Sequence, residues 1–334
     1  MPIPKRRWKP KLQEFYNCPD RFVRWLETQW RIKFKKVRRD INIQGSPERT
    51  LARFVIEDKQ GRLFLLEKFA KHKYLLRSRV AAAVDHLHGR GLSQAGACQK
   101  SVCGEFLPFF EDACFQLSRF YFSSGIKRPG YLNCRETGRS FADFLIRLSD
   151  AAKGIETVIS PAPFSIKAYI YDLFAGMRIH DPEIYDAFAP VLAFLETKFM
   201  DIHDAFQTGF CHGDLHPLNV IWDHHRIKVV IDWEFAGFKP DIYDAANIVG
   251  CAGIEDPDGL GRPMVMSFLS VLRDSGMFSD TGWWFFPEYV IALRFAWLSE
   301  WLRKKDQQML EMEAAYLTLL VKNVDVLRKG WGIA

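Results

Sequence analysis

A chain of 334 residues is long enough to bury a full hydrophobic core and to divide into two domains. Its composition, 48% hydrophobic and 26% charged, is typical of a globular protein. No apolar run follows the basic first residues, which argues against a secretory signal, and no apolar stretch is long enough to span a bilayer. Seven cysteines without a CxxC pair argue against a disulfide framework, so we expect a cytoplasmic protein.

Charge is unevenly distributed along the chain. Residues 1–150 contain 30 Lys and Arg against 15 Asp and Glu, whereas residues 151–334 contain 16 against 25. A basic half could attract nucleic acid or an anionic membrane. We favour a solvated basic surface, because no nucleic-acid-binding motif accompanies the charge. No nucleic-acid partner is therefore expected.

The first predicted element is a helix over Asn17–Lys36, with Asn17 as its cap. Phe22, Leu26 and Trp30 fall on one face of this helix, and the opposite face is basic. A helix lying on a membrane surface would show such a pattern. We favour the alternative that the apolar face docks onto the neighbouring lobe.

The next segments predict antiparallel hairpins, because apolar runs alternate with turn residues. The predicted strands are Ile41–Gln44, Thr50–Glu57 and Leu63–Phe69. A helix over Tyr74–His88 and a strand over Ala113–Phe122 follow.

Beyond Gly125 the apolar spacing becomes helical. The predicted helices are Arg139–Ala152, Val191–Phe206, Pro287–Arg303 and Asp306–Leu327, and two paired strands are predicted at Val220–Trp222 and Ile227–Trp233. Together with the hairpins this gives an α+β fold class. Glycine and proline between Ser123 and Pro129 mark a boundary. We therefore expect an N-terminal helical extension (1–35), an N-lobe (36–124) and a C-lobe (125–334).

The chemically informative motif is HGDLHPLN over residues 212–219, followed by DWE at 232–234. Asp214 can accept a proton from an attacking hydroxyl group. Asn219 and Asp232 supply hard oxygen ligands for Mg²⁺, which bridges the phosphates of ATP. Asp232 ends a buried-looking apolar run that would hold it rigidly. These groups together are those that phosphoryl transfer requires.

An Asp, an Asn five residues later, and an Asp at the end of the following apolar strand resemble the active site of aminoglycoside phosphotransferases and choline kinases, which belong to the protein-kinase-like superfamily. The resemblance implies a two-lobed fold, with a small antiparallel β-sheet in the N-lobe and a mainly helical C-lobe. It also implies that ATP and Mg²⁺ are cofactors and that the acceptor is a hydroxyl group of a small molecule.

The same resemblance implies nucleotide-binding residues in the N-lobe. Lys68 resembles the strand lysine that reaches the α- and β-phosphates, although an exposed surface lysine is the alternative. Gly45 and Ser46 stand where a nucleotide-covering loop is expected. Backbone groups near Tyr121 and Ser123 are the expected adenine contacts.

Two further residues are expected to support the site. His212 braces the loop by hydrogen bonds, and Asp244 resembles the family's Asp that supports the catalytic loop. The chain also departs from the pattern of the family. The helix after Lys68 should offer a Glu to that lysine, but Val80 stands in its place and Asp85 is the only acid on the helix.

Three functions follow from these residues. The leading one is an ATP:alcohol phosphotransferase, whose acceptor is an amine-bearing small molecule if the acidic run Glu255, Asp256 and Asp258 forms a rim. A protein kinase-like enzyme uses the same chemistry. A regulatory module that binds nucleotide without turnover is the third, but such a module has no use for the base Asp214. The acceptor and the oligomeric state are not encoded in a motif.

Overall fold

The computed structural model describes residues 19–45, 50–160 and 164–333. The chain divides into two compact units. The first contains the residues up to Ser123 together with Val229–Glu234, and the second contains Ser124–Lys228 and the residues from Phe235 onward. The first unit is built on an antiparallel sheet and the second is mainly helical, which confirms the α+β fold class. Within the described ranges, no helix has the length and apolar character needed to cross a membrane.

Six strands and two α-helices are described in the first unit. The strands are β1 Phe34–Val37, β2 Ala52–Asp58, β3 Leu63–Ala70, β4 Cys98–Gln99, β5 Phe109–Phe110 and β6 Ala113–Arg119, and the helices are α1 Pro19–Trp30 and α2 Tyr74–Gly89. The sheet order is β1-β2-β3-β6-β4, with β5 also paired to β6, and every pairing is antiparallel. Apolar strands separated by turns therefore formed hairpins as predicted.

The predicted docking of the first helix is confirmed. Phe22, Leu26 and Trp30 of α1 lie in one buried cluster with sheet residues such as Phe54 and Leu117. The Trp30 indole also donates a hydrogen bond to the Gln99 carbonyl at 2.9 Å. Because the apolar face is covered by the sheet, it is not presented to a membrane.

The boundaries of the first two elements differ from the prediction. Helix α1 ends at Trp30 rather than at Lys36, because Arg31 adopts a left-handed conformation with φ 50°. The strand predicted at 41–44 is wrong, and strand β1 at Phe34–Val37 takes its place on the sheet. There Lys35 donates to Glu57 of β2 at 2.6 Å, which fixes a charged pair at the sheet edge. Asn17, the predicted cap, lies outside the described residues.

Nine helices are described in the second unit. They are α3 Arg135–Ala151, α4 Ile166–His180, α5 Pro182–Lys198, α6 Tyr243–Glu255, α7 Pro263–Asp274, α8 Asp280–Trp284, α9 Phe286–Lys304, α10 Gln307–Lys322 and α11 Val324–Gly330. Two short two-stranded ribbons are also described, and residues 229 and 230 at the end of the second one belong to the first unit. One pairs β7 Thr208–Cys211 with β10 Gly237–Pro240, and the other pairs β8 Val220–Asp223 with β9 Arg226–Val230.

The centre of this unit is α9, in which the segment 286–295 is buried on all sides. Its one buried guanidinium, Arg294, forms two hydrogen bonds of 2.6 Å to Glu313 of α10. Helices α3 and α7 pack closely, because Gly138 has no side chain: a Cβ there would lie 2.1 Å from the Met264 carbonyl oxygen. A bidentate ion pair and a glycine contact thus fix the packing of the helices.

Several helices were not predicted or were predicted with wrong bounds. Helix α6 has no apolar face because almost all of it is buried, so the spacing argument could not detect it. Helix α5 begins at Pro182 and continues through Pro190, whereas the predicted helix began at Val191. The single helix predicted over Asp306–Leu327 is interrupted at Asn323, whose side chain donates to the Leu319 carbonyl at 2.8 Å.

Candidate active site

The segment His212–Asn219, called here the HGD loop, connects β7 to β8 in the second unit. Its second residue, Gly213, has φ +83°, and a Cβ at that position would lie 2.3 Å from the Phe235 carbonyl oxygen. Only glycine fits at this position. Any other residue is sterically strained at this φ, and its Cβ would overlap the Phe235 carbonyl group. The loop therefore turns sharply, immediately before Asp214.

Asp244, at the start of α6, anchors the HGD loop. Its carboxylate accepts the backbone N–H groups of His212 at 2.6 Å and of Gly213 at 2.8 Å. Asp244 is only 2% exposed. Burial raises the pKa of Asp244 to about 6, against the two backbone donors that lower it. Asp244 therefore contacts the HGD loop directly, and its supporting role in catalysis stays a prediction.

Asp214 and Asn219 contact each other directly. The Asn219 amide nitrogen donates to the Asp214 carbonyl oxygen at 2.8 Å and to Asp214 Oδ2 at 3.0 Å. The other carboxylate oxygen, Oδ1, lies 3.7 Å from Nε2 of His216. One oxygen of Asp214 is thus fixed, whereas the other can face a proton donor. Because the amide nitrogen of Asn219 makes both contacts, its amide oxygen is the atom suited to a cation.

The two histidines of the HGD loop brace it. His212 is fully buried, and its Nδ1 accepts the backbone N–H of Asp214 at 3.2 Å. Nδ1 of His216 accepts the backbone N–H of Leu218 at 3.4 Å. The bracing role expected for His212 agrees with this contact, since its ring fixes the backbone at the catalytic candidate.

A second support of the HGD loop was missed by the sequence reasoning. Asn247 of α6 donates to the Leu215 carbonyl at 3.0 Å and accepts the Trp297 indole N–H at 3.1 Å. The Trp297 ring lies edge-on to His216 at 5.6 Å. The sequence could have indicated this second support, because Asn247 lies three residues after Asp244 and so shares a helix face with it.

Asp232, Trp233 and Glu234, called here the DWE turn, belong to the first unit. The strand predicted to reach Trp233 ends at Val230, because Asp232 has φ +66° and Trp233–Phe235 form a short 3₁₀ turn. The Trp233 indole closes the turn by donating to the Val230 carbonyl at 3.0 Å. A non-glycine residue with positive φ is uncommon, and such strain is concentrated at functional sites.

The predicted nucleotide-binding residues that the structure describes also belong to the first unit. Lys68 is partly buried on β3, opposite Ala52 and Phe115, and is not a fully exposed surface lysine. Gly45 has φ +92°, and its carbonyl accepts the Arg53 guanidinium at 3.2 Å.

The remaining predicted nucleotide contacts follow the sheet. Tyr121 and Ser123 come directly after β6, and the Arg119 guanidinium lies 5.5 Å from the centre of the Tyr121 ring. Ser46 lies outside the described residues. The roles of these positions in nucleotide binding stay predictions.

Two of the acidic residues that were expected to form a rim for an amine-bearing acceptor, Glu255 and Asp256, form ion pairs with arginines. Glu255 accepts Arg128 at 2.8 Å and Tyr131 at 3.2 Å, and Asp256 forms an ion pair with Arg262. These two carboxylates are therefore neutralised by the protein's own arginines and do not form a free acidic rim.

A family model described as the phosphotransferase enzyme family matches residues 48–265, which include the HGD loop and the DWE turn. The chain belongs to this family. The resemblance drawn from the two motifs is thereby confirmed, and with it a phosphotransferase class of enzyme. A search of curated protein sequences found no match.

Solved structures of kinases share the fold of the family member described here. An amicoumacin kinase in complex with AMP-PNP and Ca²⁺ aligns with 93% of this chain and 95% of its own, at a TM-score of 0.63 and 14% identity. The GDP complex of an aminoglycoside 2′-phosphotransferase aligns over 94% and 97%, with TM-score 0.59 and 17% identity. A choline/ethanolamine kinase family protein from Mesorhizobium loti aligns over 90% and 92%, with TM-score 0.58 and 13% identity. The protein-kinase-like fold is confirmed.

Proposed function

We propose that this chain is a kinase that transfers the γ-phosphoryl group of ATP to a hydroxyl group of a small molecule. The observation that supports this most directly is the contact between Asp214 and Asn219, made on a loop that Asp244 holds through two backbone N–H groups. A nucleotide-binding module without turnover needs no such fixed carboxylate. The phosphotransferase family and the folds of the aligned kinases support the same class of reaction.

Asp214 acts as the general base in this proposal. Its Oδ2 is held by Asn219, so Oδ1 is left to accept a hydrogen bond from the acceptor hydroxyl group. Phosphoryl transfer has a loose transition state, so this carboxylate mainly orients the hydroxyl oxygen and takes its proton late. The anchored backbone at His212 and Gly213 keeps the carboxylate from moving during the step.

We propose Asn219 and Asp232 as the ligands of Mg²⁺. An amide oxygen and a carboxylate are hard donors, and Mg²⁺ needs few of them because it keeps waters and binds phosphate oxygens. The use of the Asn219 amide nitrogen toward Asp214 fits this assignment, because it turns the amide oxygen away from that carboxylate. When bound, Mg²⁺ neutralises charge on the β- and γ-phosphates.

Nucleotide binding is assigned to the first unit. We propose that Lys68 reaches the α- and β-phosphates, that Gly45 and Ser46 cover them, and that the backbone at Tyr121 and Ser123 contacts adenine. The left-handed Gly45 supports this, since a backbone without a Cβ can approach phosphate oxygens closely.

The six cysteines within the described ranges form no disulfide, which fits a reducing cytoplasm where ATP is available.

The acceptor is proposed to be a small molecule with a hydroxyl group, by analogy with the amicoumacin kinase and the aminoglycoside 2′-phosphotransferase that align with the chain. An amine on that acceptor was inferred from Glu255 and Asp256, which prove to be paired with arginines. Amines and neutral alcohols should therefore be compared directly.

The test is Mg²⁺-dependent ATP consumption with separate pools of amino alcohols, amino sugars, neutral sugars and aminoglycosides, followed by ³¹P NMR of the product. We expect turnover in one pool and none with the Asp214→Asn variant. Labelling of a protein in lysate, with every pool silent, would favour a protein kinase-like enzyme. Absence of Mg²⁺-dependent nucleotide binding would contradict the proposal in every form.

A further inference from the structure

Helix α2 makes an unexpected ion pair with the DWE turn. Nη2 of Arg77 lies 2.9 Å from Oε2 of Glu234, although the two residues are 157 positions apart in sequence. Their side chains are 11% and 12% exposed, so the pair is largely shielded from solvent. Shielding strengthens the Coulomb attraction between the two charges, compared with the exposed ion pairs of the chain.

Arg77 occupies the helix face on which an acidic residue was expected. It lies three residues before Val80, the position at which the family pattern places a Glu, and residues three apart share a helix face. The one acid of the helix, Asp85, instead pairs with Lys100 at 2.8 Å on the surface. Helix α2 therefore presents a positive charge on this face, and that charge is directed to the DWE turn.

The guanidinium also connects the turn to β3. It lies 4.5 Å from the centre of the Phe69 ring, and Phe69 directly follows Lys68. Lys73, one turn earlier on the chain, lies 3.9 Å from the other oxygen of Glu234. Nε of Arg77 is buried without a hydrogen-bond partner, which costs free energy.

Glu234 is two residues from Asp232, which adopts φ +66°. A residue with such a strained backbone keeps its conformation only where the surrounding structure holds it. On one flank, Ile231 packs against Gly45, where a Cβ would lie 3.1 Å from Ile231 Cδ1. On the other flank, the Arg77–Glu234 pair ties the turn to helix α2.

We propose that Arg77 is a positioning residue that acts through Glu234 to hold Asp232 in the orientation that binds Mg²⁺. This inference rests on the proposed function, because it takes Asp232 as a metal ligand. It gives helix α2 a role in metal binding. In this role the basic side chain of Arg77 takes the place of the acidic side chain that the family pattern expects on this helix. Outer residues that orient metal ligands typically change metal affinity by about 10- to 100-fold when they are removed.

The test is a Mg²⁺ titration of the binding of a non-hydrolysable ATP analogue, measured by calorimetry on the full chain. Arg77→Met should weaken the apparent Mg²⁺ affinity about tenfold. Glu234→Gln removes the same pair without altering the helix, and it should weaken the affinity at least as much. The double variant should be no worse than Glu234→Gln alone, because Arg77 acts through Glu234. Asp85→Asn, on the same helix, is the matched control and should titrate like the wild type.

The outcomes separate this inference from the function on which it rests. If the wild type binds the analogue without Mg²⁺ dependence, the proposed function fails and the inference fails with it. If the wild type shows the dependence but Arg77→Met changes only the melting temperature, the pair is structural and the inference alone is overturned. If the losses of Mg²⁺ affinity caused by Arg77→Met and by Glu234→Gln add up in the double variant, Arg77 does not act through Glu234 and the inference is likewise overturned.

Discussion

The HGD loop and the DWE turn both hold a carboxylate in an irregular segment, but they are held in different ways. In the HGD loop, the buried carboxylate of Asp244 accepts backbone N–H groups, so the main chain itself is fixed. In the DWE turn, a guanidinium from α2 binds the side chain of Glu234. Backbone anchoring fixes a position tightly, whereas a side-chain ion pair fixes it through rotatable bonds. We therefore expect changes in the loop to affect stability and changes in the turn to affect ligand affinity.

The largest effect on stability is expected from Asp244→Ala. It leaves two N–H groups in a buried environment without an acceptor, and each costs about 1–3 kcal/mol. The free energy of unfolding, measured by denaturant titration, should fall by about 2–5 kcal/mol. Asp143→Ala, on the exposed face of α3, should stay within about 0.5 kcal/mol of the wild type. Equal effects of the two variants would show that Asp244 does not anchor the loop.

Gly213→Ala should be next in size. Alanine at φ +83° is strained, and its Cβ would lie 2.3 Å from the Phe235 carbonyl oxygen. We expect a loss of about 2–4 kcal/mol in the free energy of unfolding. The control is Gly176→Ala in α4, where nothing lies within 4 Å of the new Cβ. That change should stabilise the protein by up to about 1 kcal/mol. A destabilised control would indicate that the glycine argument is wrong.

The rate of transfer should fall as the pH decreases through about 6, the pKa that burial gives Asp244. The ionised carboxylate accepts two backbone donors, whereas the protonated form replaces an acceptor by an O–H group and loosens the HGD loop. Burial also raises the pKa of Asp241 to about 6. If Asp244 is responsible, the Asp241→Asn variant should still show the fall in rate at acidic pH, which is the acidic limb of the pH–rate profile. Loss of that limb in the variant would assign it to Asp241 instead.

The smallest effect is expected from Asp85→Asn. Its pair with Lys100 is exposed, since the two side chains are 39% and 47% accessible. Such pairs contribute about 0–1 kcal/mol, so the melting temperature should change little. A large loss of stability, comparable to that of Asp244→Ala, would mean that the contrast between anchored and surface carboxylates is wrong.

The same contrast explains what could be predicted from the sequence. The HGD loop is recognised by the local spacing of its residues, and strands β2 and β3 follow from apolar runs between turns. The support by Asp244 was expected only from the resemblance to the family. The Arg77–Glu234 pair joins residues 157 positions apart and has no local signature. Helix α6 escaped detection because it is buried on every face and so lacks an apolar period.

The most direct test of the account is to compare nucleotide affinity and transfer rate in Asp214→Asn. The amide keeps the size of the side chain but cannot accept the proton of the acceptor hydroxyl. We predict that Mg²⁺-dependent binding of the ATP analogue stays within about twofold of the wild type, while the rate of transfer falls about 100- to 10,000-fold. A variant that transfers phosphoryl groups as fast as the wild type would contradict the assignment of Asp214 as the base.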